Sequence, residues 1–170
     1  MNADLLARWK RIRGFAFDMD GVLSPAGLLV LEDGTLIRHV NVHDGMAMRV
    51  ALDERYKICI ISGSGEEGMQ IRFERIGVEH IYFGVKRKLT PLEEFALYYG
   101  IGLHEILYMG DDLNDIEPMR SVGLAAAPAD ASRDALEAAH YVSPFEGGKG
   151  AVRDVIEKTL RIQQRWPGKV

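Results

Sequence analysis

The chain is poor in the features that define several large classes of protein. One cysteine, Cys59, stands among its 170 residues, so no disulfide can form within the chain and a reducing compartment suits it. Basic residues number 21 against 25 acidic ones, and a net charge of −4 predicts no nucleic-acid partner. No apolar run approaches the ~18 residues of a membrane span, and the first residues lack the apolar stretch of a signal peptide. We therefore expect a cytoplasmic protein that binds neither nucleic acid nor membrane.

The composition and the hydrophobic pattern predict one α/β domain over residues 1–170. Hydrophobic residues make up 47% and charged residues 27% of the chain, close to ordinary globular usage. Short apolar runs that predict strands lie at 14–18, 57–62, 80–83, 105–109, 122–126 and 140–143. Apolar residues recur at helical spacing in 46–55, 66–77, 92–100 and 151–166. This alternation is typical of a Rossmann-like, doubly wound parallel sheet.

Two local signals refine this outline. A capping box predicts a helix start at Thr90, and Gly100 suits the end of that helix. Residues 28–42 contain two β-like runs around the pair Asp33 and Gly34, which is a strong hairpin signal. We expect this hairpin to be inserted after the first strand, as a small cap or as an arm that faces a partner.

A glycine-rich turn follows the predicted strand at 57–62. Gly63, Gly65 and Gly68 have the spacing of a dinucleotide-binding fingerprint. Such a site needs a carboxylate at the end of the next strand to bind the ribose, and the strand at 80–83 ends without one. We therefore reject a dinucleotide site. That the glycines simply end a strand is a better interpretation, although it leaves Ser62 unexplained.

Carboxylates follow two of the predicted strands. Asp18 and Asp20 come directly after the first strand, and Asp111, Asp112 and Asp115 follow the strand at 105–109. The carboxyl edge of an open α/β sheet is where such folds bind ligands, so these side chains should meet there. Taken singly, Asp112 and Asp115 could be ordinary turn or cap residues. Together, oxygen ligands from separate strand ends predict a hard cation, most often Mg²⁺.

A hydroxyl and a cation complete the predicted site. Ser62 ends one strand, and Lys88 lies shortly before the helix predicted to start at Thr90. Either residue alone would mean little, since a solvated basic turn explains a lone lysine equally well. What is specific is the order along the chain, in which paired aspartates, a serine, a lysine and a second aspartate group follow successive elements.

This order of motifs resembles the haloacid-dehalogenase-like phosphatase superfamily. The resemblance implies Asp18 as the nucleophile, Asp20 as general acid and base, and a phosphate-binding role for Ser62. It also implies Lys88 as the cation of the third motif and Asp111 as a ligand of Mg²⁺, together with Asp18 and the backbone carbonyl of Asp20. Such an enzyme would pass through an aspartyl-phosphate intermediate, because the nucleophile is a carboxylate.

The resemblance extends to a branch without a large cap domain, the 3-deoxy-D-manno-octulosonate 8-phosphate phosphatases, and covers residues 14–165. It implies a homotetramer in which the hairpins associate and a neighbouring subunit helps to close each active site. It implies a sugar acid phosphate as substrate and a C-terminal tail and helix at about 147–166. Substrate contacts are then expected from Asp20, Asn41, Val42, His43, Asp44, Gly45, Arg49, Gly63, Arg72 and Lys88.

Two departures from the family pattern keep alternatives open. Ser64 stands where the family commonly has an arginine, and Ser24 and Pro25 replace a usual Thr-Asp pair. A relative that acts on 2-keto-3-deoxynonulosonate 9-phosphate is therefore the nearest rival. From other classes, a receiver domain should lack Asp20, and a non-catalytic oligomerisation domain should have lost a motif residue. Asp112 and Asp115 stay open as further metal ligands.

Overall fold

The computed structural model describes residues 2–65 and 67–167. The remainder of the predicted domain, Met1 and residues 168–170, lies outside the described residues, as does Glu66, the predicted first residue of the helix at 66–77. No helix within the two described ranges is both long enough and apolar enough to cross a membrane.

A sheet of six parallel strands forms the frame of the molecule, which confirms the predicted doubly wound α/β fold. In chain order the strands are β1 (Gly14–Phe17), β2 (Leu29–Val30), β3 (Leu36–Ile37), β4 (Lys57–Ile61), β5 (His80–Tyr82), β6 (Ile106–Met109), β7 (Leu124–Ala127) and β8 (Tyr141–Val142). The order across the sheet is β5-β4-β1-β6-β7-β8, and β2 and β3 form a separate antiparallel pair. The order reverses direction beside β1, so the ends of β1, β4 and β6 meet at a switch point.

Seven α-helices of the described residues cover the sheet. They are α1 (Ala3–Arg11), α2 (Val42–Asp53), α3 (Glu67–Ile76), α4 (Leu89–Tyr99), α5 (Ile116–Ser121), α6 (Arg133–Ala138) and α7 (Ala151–Ile162). Because side chains alternate along a strand, Phe15 and Phe17 of β1 pack on one face with α1, α2, α3 and α7. Ala16 points to the other face and packs with α4, α5 and α6.

Several boundaries differ from the predicted ones. Helix α2 begins at Val42 rather than at 46, and α7 ends at Ile162 rather than at 166. The capping box was wrong, because α4 begins at Leu89 with Lys88 as its N-cap residue and without a side-chain cap. The Lys88 side chain is held by buried carboxylates, so the helix starts directly after it and Thr90 lies inside the first turn. Gly100 ends α4 in the left-handed conformation, as predicted.

The predicted hairpin is present, with strands shorter than its sequence indicated. Leu29 pairs with Ile37, and Val30 pairs with Leu36. The turn between them includes Gly34 at φ 85°, a conformation that suits glycine. Residues 28–37 are called the arm below. Their apolar side chains lie largely exposed on the described chain, namely those of Leu28, Leu29, Val30, Leu31 and Ile37.

Helix α7 is capped from a distance by α2. Its own N-cap residue, Gly150, offers no side chain. Instead, the buried carboxylate of Asp44 accepts a hydrogen bond of 2.7 Å from the backbone N–H of Arg153. Burial raises the pKa of Asp44, while this N–H partly offsets the effect. Asp44 thus does for α7 what an N-cap side chain does for its own helix.

We predict that Asp44→Ala lowers the free energy of unfolding by roughly 1–3 kcal/mol, because it leaves the half-buried N–H of Arg153 without its acceptor. Asp44→Asn keeps an acceptor oxygen and should lose clearly less. Denaturant unfolding followed by circular dichroism measures both. The exposed Asp53→Ala in the same helix is the control and should change the value by less than about 0.5 kcal/mol. Equal losses in the Asp44→Ala and control variants would contradict the remote cap.

Candidate active site

The carboxyl ends of β1, β4 and β6 surround a cleft of about 290 Å³. It lies where the sheet order reverses, as the sequence predicted for its aspartates. The lining residues are Asp18, Asp20, Ala26, Ser62, Gly63, Ser64, Asp111, Asp112 and Asn114. Most of the predicted catalytic residues are therefore together at one edge of the sheet.

A buried lysine joins two of the carboxylates beside this cleft. Lys88 Nζ lies 2.8 Å from Asp18 Oδ1 and 2.8 Å from Asp115 Oδ1. Lys88 is 2% exposed, so the ammonium group has exchanged water for these two partners. Burial alone would lower the pKa of Lys88, but the charges of Asp115 and Asp18 outweigh it and raise the pKa above its usual value. Lys88 is therefore a fixed positive charge against Asp18.

Asp115 is the anchor of this arrangement. It is fully buried, and its Oδ1 also accepts a hydrogen bond of 2.6 Å from the hydroxyl of Tyr108. Its Oδ2 accepts from the backbone N–H groups of Asp111 and Asp112, at 3.2 and 3.4 Å. Burial and the charge of Asp115 raise the pKa of Tyr108 well above its usual value, so Tyr108 remains a donor. Asp115 thereby fixes both Lys88 and the loop that carries Asp111.

Asp18, Asp111 and Asp115 form a group that fits a divalent cation. One carboxylate oxygen from each lies within 4.8 Å of the others. Burial first, and then the charges of Asp18 and Asp115, raise the pKa of Asp111 to about 8. Burial first, and then Asp115, raise the pKa of Asp18 to about 6 despite Lys88. A hard cation would remove this repulsion, and an all-oxygen donor set is the kind that Mg²⁺ prefers.

Two neighbouring residues clarify this group. Gly21 has φ 90°, and a Cβ at this position would overlap the carboxylate of Asp111, so glycine makes room for the aspartate. Asp112 is not brought into the group of three. It is exposed, and its Oδ1 accepts a hydrogen bond of 2.8 Å from the backbone N–H of Leu113.

Asp20 is held by an arginine from the end of the arm. Arg38 Nε donates to Asp20 Oδ1 at 2.7 Å, and Arg38 Nη2 donates to Asp20 Oδ2 at 3.1 Å. The hydroxyls of Ser64 and Ser24 donate to the same carboxylate at 2.7 and 3.1 Å. Burial raises the pKa of Asp20, but the hydrogen bonds of Arg38 and Ser64 outweigh it and leave the pKa below its usual value.

Ser62 reaches the cleft as predicted. It is buried at the end of β4, and its Oγ accepts a hydrogen bond of 3.2 Å from the backbone N–H of Ser64. Gly63 and Ser64 continue the turn along the wall of the cleft. Successive backbone N–H groups in such a turn can bind an anion. The glycine-rich turn therefore lies where a phosphoryl group could be bound.

The residues expected to contact the sugar from outside the four motifs do not line this cleft. Asn41 and His43 line a second cleft, of about 610 Å³, against α7. Arg49 Nη2 donates to the carbonyl oxygen of Arg75 at 3.0 Å, and the Arg72 guanidinium lies against Gly45. Seven residues outside the motifs were expected to contact the sugar, namely Asn41, Val42, His43, Asp44, Gly45, Arg49 and Arg72. Within the described residues of one chain, none of these seven lines the catalytic cleft.

Sequence reasoning missed Arg38 and Tyr108, and it named Ser24 only as a departure from the family pattern. Tyr108 lies inside a buried strand, where a tyrosine reads as an ordinary core residue. Arg38 has no motif spacing to the aspartates, and its position depends on how the arm folds back. One signal for Arg38 was available in the sequence. Ser64 stands where the family commonly has an arginine, and the loss of that cation suggests that another segment supplies one.

We predict that Mg²⁺ raises the thermal unfolding temperature of the wild type through Asp111. At a Mg²⁺ concentration a hundred times the dissociation constant, binding adds about 2.7 kcal/mol to the free energy of unfolding. Asp111→Asn should lose most of this shift, measured by scanning calorimetry at pH 7.5. The pKa of Asp111 is raised from 3.8 to about 8 in the folded protein. The free energy of unfolding therefore falls as the pH rises from about 3.8 to about 8, because the unfolded chain releases this proton more readily than the folded one. The metal-free Asp111→Asn variant should therefore be at least as stable as the metal-free wild type.

The exposed neighbour Asp112 provides a matched control for this prediction. Asp112→Asn removes the same charge from the same loop and should keep the Mg²⁺ shift. If the Mg²⁺ shift is lost in the Asp112→Asn variant and kept in the Asp111→Asn variant, then Asp112 is the metal ligand and the prediction is wrong.

Comparison with known proteins gives one consistent result. Residues 78–156 match the haloacid dehalogenase-like hydrolase family. The 3-deoxy-D-manno-octulosonate 8-phosphate phosphatase KdsC of Escherichia coli K12 is 34% identical over 163 residues, which are 96% of this chain and 87% of the relative. The phosphatase of the same name from Yersinia pestis has a solved structure with a TM-score of 0.95 at 33% identity, covering 99% of this chain and 91% of that one.

A further solved structure carries ligands. The 3-deoxy-D-manno-octulosonate 8-phosphate phosphatase of Moraxella catarrhalis, in complex with a magnesium ion, a phosphate ion and a KDO molecule, matches with a TM-score of 0.92 at 29% identity. The match covers 96% of this chain and 94% of that one. The chain therefore belongs to the haloacid dehalogenase-like hydrolases, in the family of the 3-deoxy-D-manno-octulosonate 8-phosphate phosphatases.

Proposed function

We propose that this protein is a Mg²⁺-dependent phosphatase that removes phosphate from 3-deoxy-D-manno-octulosonate 8-phosphate. The observation that carries the proposal is the buried contact of Lys88 with Asp18, inside a group of three carboxylates at the sheet edge. The similarity to KdsC over 96% of the chain supports the choice of substrate. We expect the enzyme to act in the cytoplasm.

The first chemical step would form an aspartyl phosphate. An oxygen of Asp18 attacks phosphorus and the bond from phosphorus to the sugar oxygen breaks. Asp20 gives a proton to that leaving oxygen, and because its pKa in the free cleft lies below the usual value, it must first take up that proton when the phosphate is bound. Lys88 stays against Asp18 and offsets part of the charge on the phosphoryl group. Ser62 and the backbone N–H groups of the turn at Gly63 would bind the phosphoryl oxygens.

The second step would release phosphate. A water molecule attacks phosphorus, gives a proton to Asp20, and the bond between phosphorus and Asp18 breaks, which restores both carboxyl groups to their starting states. Mg²⁺, held by Asp18, Asp111 and the backbone carbonyl of Asp20, would supply positive charge that a phosphate dianion needs in order to approach a carboxylate. Asp115 serves in this scheme to orient Lys88 and the loop of Asp111.

Sugar recognition would involve a neighbouring subunit of a homotetramer. The exposed apolar side chains of the arm support an interface with another copy of the chain. The expected sugar contacts lie away from the chain's own cleft, which supports a site completed by a second copy. They comprise Asn41, Val42, His43, Asp44, Gly45, Arg49 and Arg72, of which Asp44 would act indirectly because it caps α7.

We predict that phosphate release with Mg²⁺ is fastest on 3-deoxy-D-manno-octulosonate 8-phosphate. A coupled phosphate assay compares kcat/KM on this compound, on the nine-carbon 2-keto-3-deoxynonulosonate 9-phosphate and on glucose 6-phosphate. Folded protein that turns over none of them would sink the proposal. Preference for the nine-carbon acid would change the substrate, and equal rates on all three would reduce the protein to a generic phosphatase.

Asp18→Asn tests the nucleophile in the same assay. The amide cannot attack phosphorus, so kcat should fall by a factor on the order of 10⁴ or more. The variant should keep its secondary structure by circular dichroism. Substantial remaining turnover would reject Asp18 as the nucleophile.

We predict that the arm holds the oligomer together. Light scattering at assay concentration should give a tetramer for the wild type, and Leu29→Ser combined with Val30→Ser should shift it to smaller species, because both side chains lie exposed on the described chain. Turnover per chain should fall with the loss of tetramer. A matched change at the exposed residues Leu97 and Tyr98 of α4 should leave the mass unchanged. A monomeric wild type with full activity would contradict a shared site.

A further inference from the structure

Arg38 is buried deeply for a residue at the end of an exposed arm. Its side chain is 1% exposed, although β3, which ends one residue earlier, is largely exposed. The guanidinium uses two nitrogens for the two oxygens of Asp20, at 2.7 and 3.1 Å. This bidentate geometry fixes the plane of a carboxylate, which a lysine at the same place could not do.

Ser64 closes a ring of contacts around the same carboxylate. Its Oγ donates to Asp20 Oδ2 at 2.7 Å and accepts from Arg38 Nη2 at 3.1 Å. Ser24 adds a donor to Asp20 Oδ1 at 3.1 Å. Each oxygen of Asp20 thus accepts two hydrogen bonds, and the donors come from three separate segments of the chain.

Stability is a poor explanation for this arrangement. The Arg38 side chain is 1% exposed and that of Asp20 24% exposed, so the pair is largely removed from water, and buried ion pairs often do no better than apolar residues of the same size. A pair placed at the wall of a catalytic cleft does have a use in fixing geometry. A proton donor or acceptor works only within hydrogen-bond reach of the reacting oxygen, and a misplacement of about 1 Å can cost about 100-fold in rate.

We propose that Arg38, assisted by Ser64, is a positioning residue that fixes the carboxylate of Asp20 and so connects the arm to the chemical step. The inference rests on the proposed function, in which Asp20 exchanges a proton with the leaving oxygen and with water. Arg38 follows directly after β3, so a displacement of the arm would displace the guanidinium and with it the carboxylate. The conformation of the arm thereby sets the rate of the chemical step.

The test compares steady-state kinetics of Arg38→Met, Arg38→Lys and Ser64→Ala with the wild type. Arg38→Met should lower kcat by about 10- to 100-fold with KM changed by less than about 3-fold, because the carboxylate loses its orientation while the substrate contacts remain. Arg38→Lys should restore only part of kcat, since an ammonium group cannot bind both oxygens. Ser64→Ala should lose less than Arg38→Met. Arg38→Met combined with Ser64→Ala should lose less than the product of the single effects, because both act on one carboxylate.

Chemical rescue separates positioning from a general structural role. Arg38→Ala should regain part of its kcat when guanidinium is added at millimolar concentration, and its unfolding temperature should not follow the rescue. Arg13→Met is the control, because Arg13 pairs with Glu105 away from the catalytic cleft and should keep wild-type kinetics.

Four outcomes decide the inference. A lowered kcat with unchanged KM and rescue by guanidinium supports it. An Arg38→Met variant as active as the Arg13→Met control overturns it, as does a rise in KM at unchanged kcat, which would make Arg38 a substrate contact. A rise in kcat also overturns it, because the contact would then restrain Asp20. A wild type that releases phosphate from no sugar acid phosphate sinks the proposed function instead, so the two failures are distinguishable.

Discussion

The buried ammonium of Lys88 is the interaction on which the rest of the site depends. A lysine that is 2% exposed stays charged only beside carboxylates, and Asp18 and Asp115 each lie 2.8 Å from its Nζ. That requirement draws together the end of β1, the start of α4 and the loop after β6. It also explains the unusual start of α4, whose N-cap residue gives its side chain to the site and none to the helix.

The order of motifs made the centre of this site predictable. Parallel strands end at one edge, so the residues directly after β1, β4 and β6 had to meet, and Asp18, Ser62 and Asp111 do so in the cleft. The sheet itself was predictable because its strands are continuous apolar runs, as strands buried on both faces must be. Helices α5 and α6, each of six residues, are too short to show a helical period and were not predicted.

The sequence could not predict contacts between side chains that lie on different helices, strands or loops. Arg38 meets Asp20 only because the chain returns from the arm to the end of β1, and Asp44 meets α7 only because α2 and α7 pack together. The predicted capping box failed for the same reason, since a local pattern at Thr90 lost to the tertiary demand on Lys88. The missing arginine at position 64 fits this picture. A guanidinium is present beside Ser64 Oγ, at 3.1 Å, but it comes from a different segment.

The charge balance of the cleft explains why a cation belongs to the reaction and not only to the resting protein. Among the described residues, Asp18, Asp20, Asp111 and Asp115 place four carboxylates at the site. Lys88 contacts Asp18 and Asp115, and Arg38 contacts Asp20. Burial first, and then the excess of negative charge, raise the pKa of Asp111 to about 8 and that of Asp18 to about 6, so without a metal ion the group tends to hold protons. A protonated Asp18 is a poor nucleophile, and an ionised one repels a phosphate dianion. A divalent cation among these oxygens resolves both difficulties, because it keeps Asp18 ionised and offsets the charge of the phosphate that Asp18 must approach.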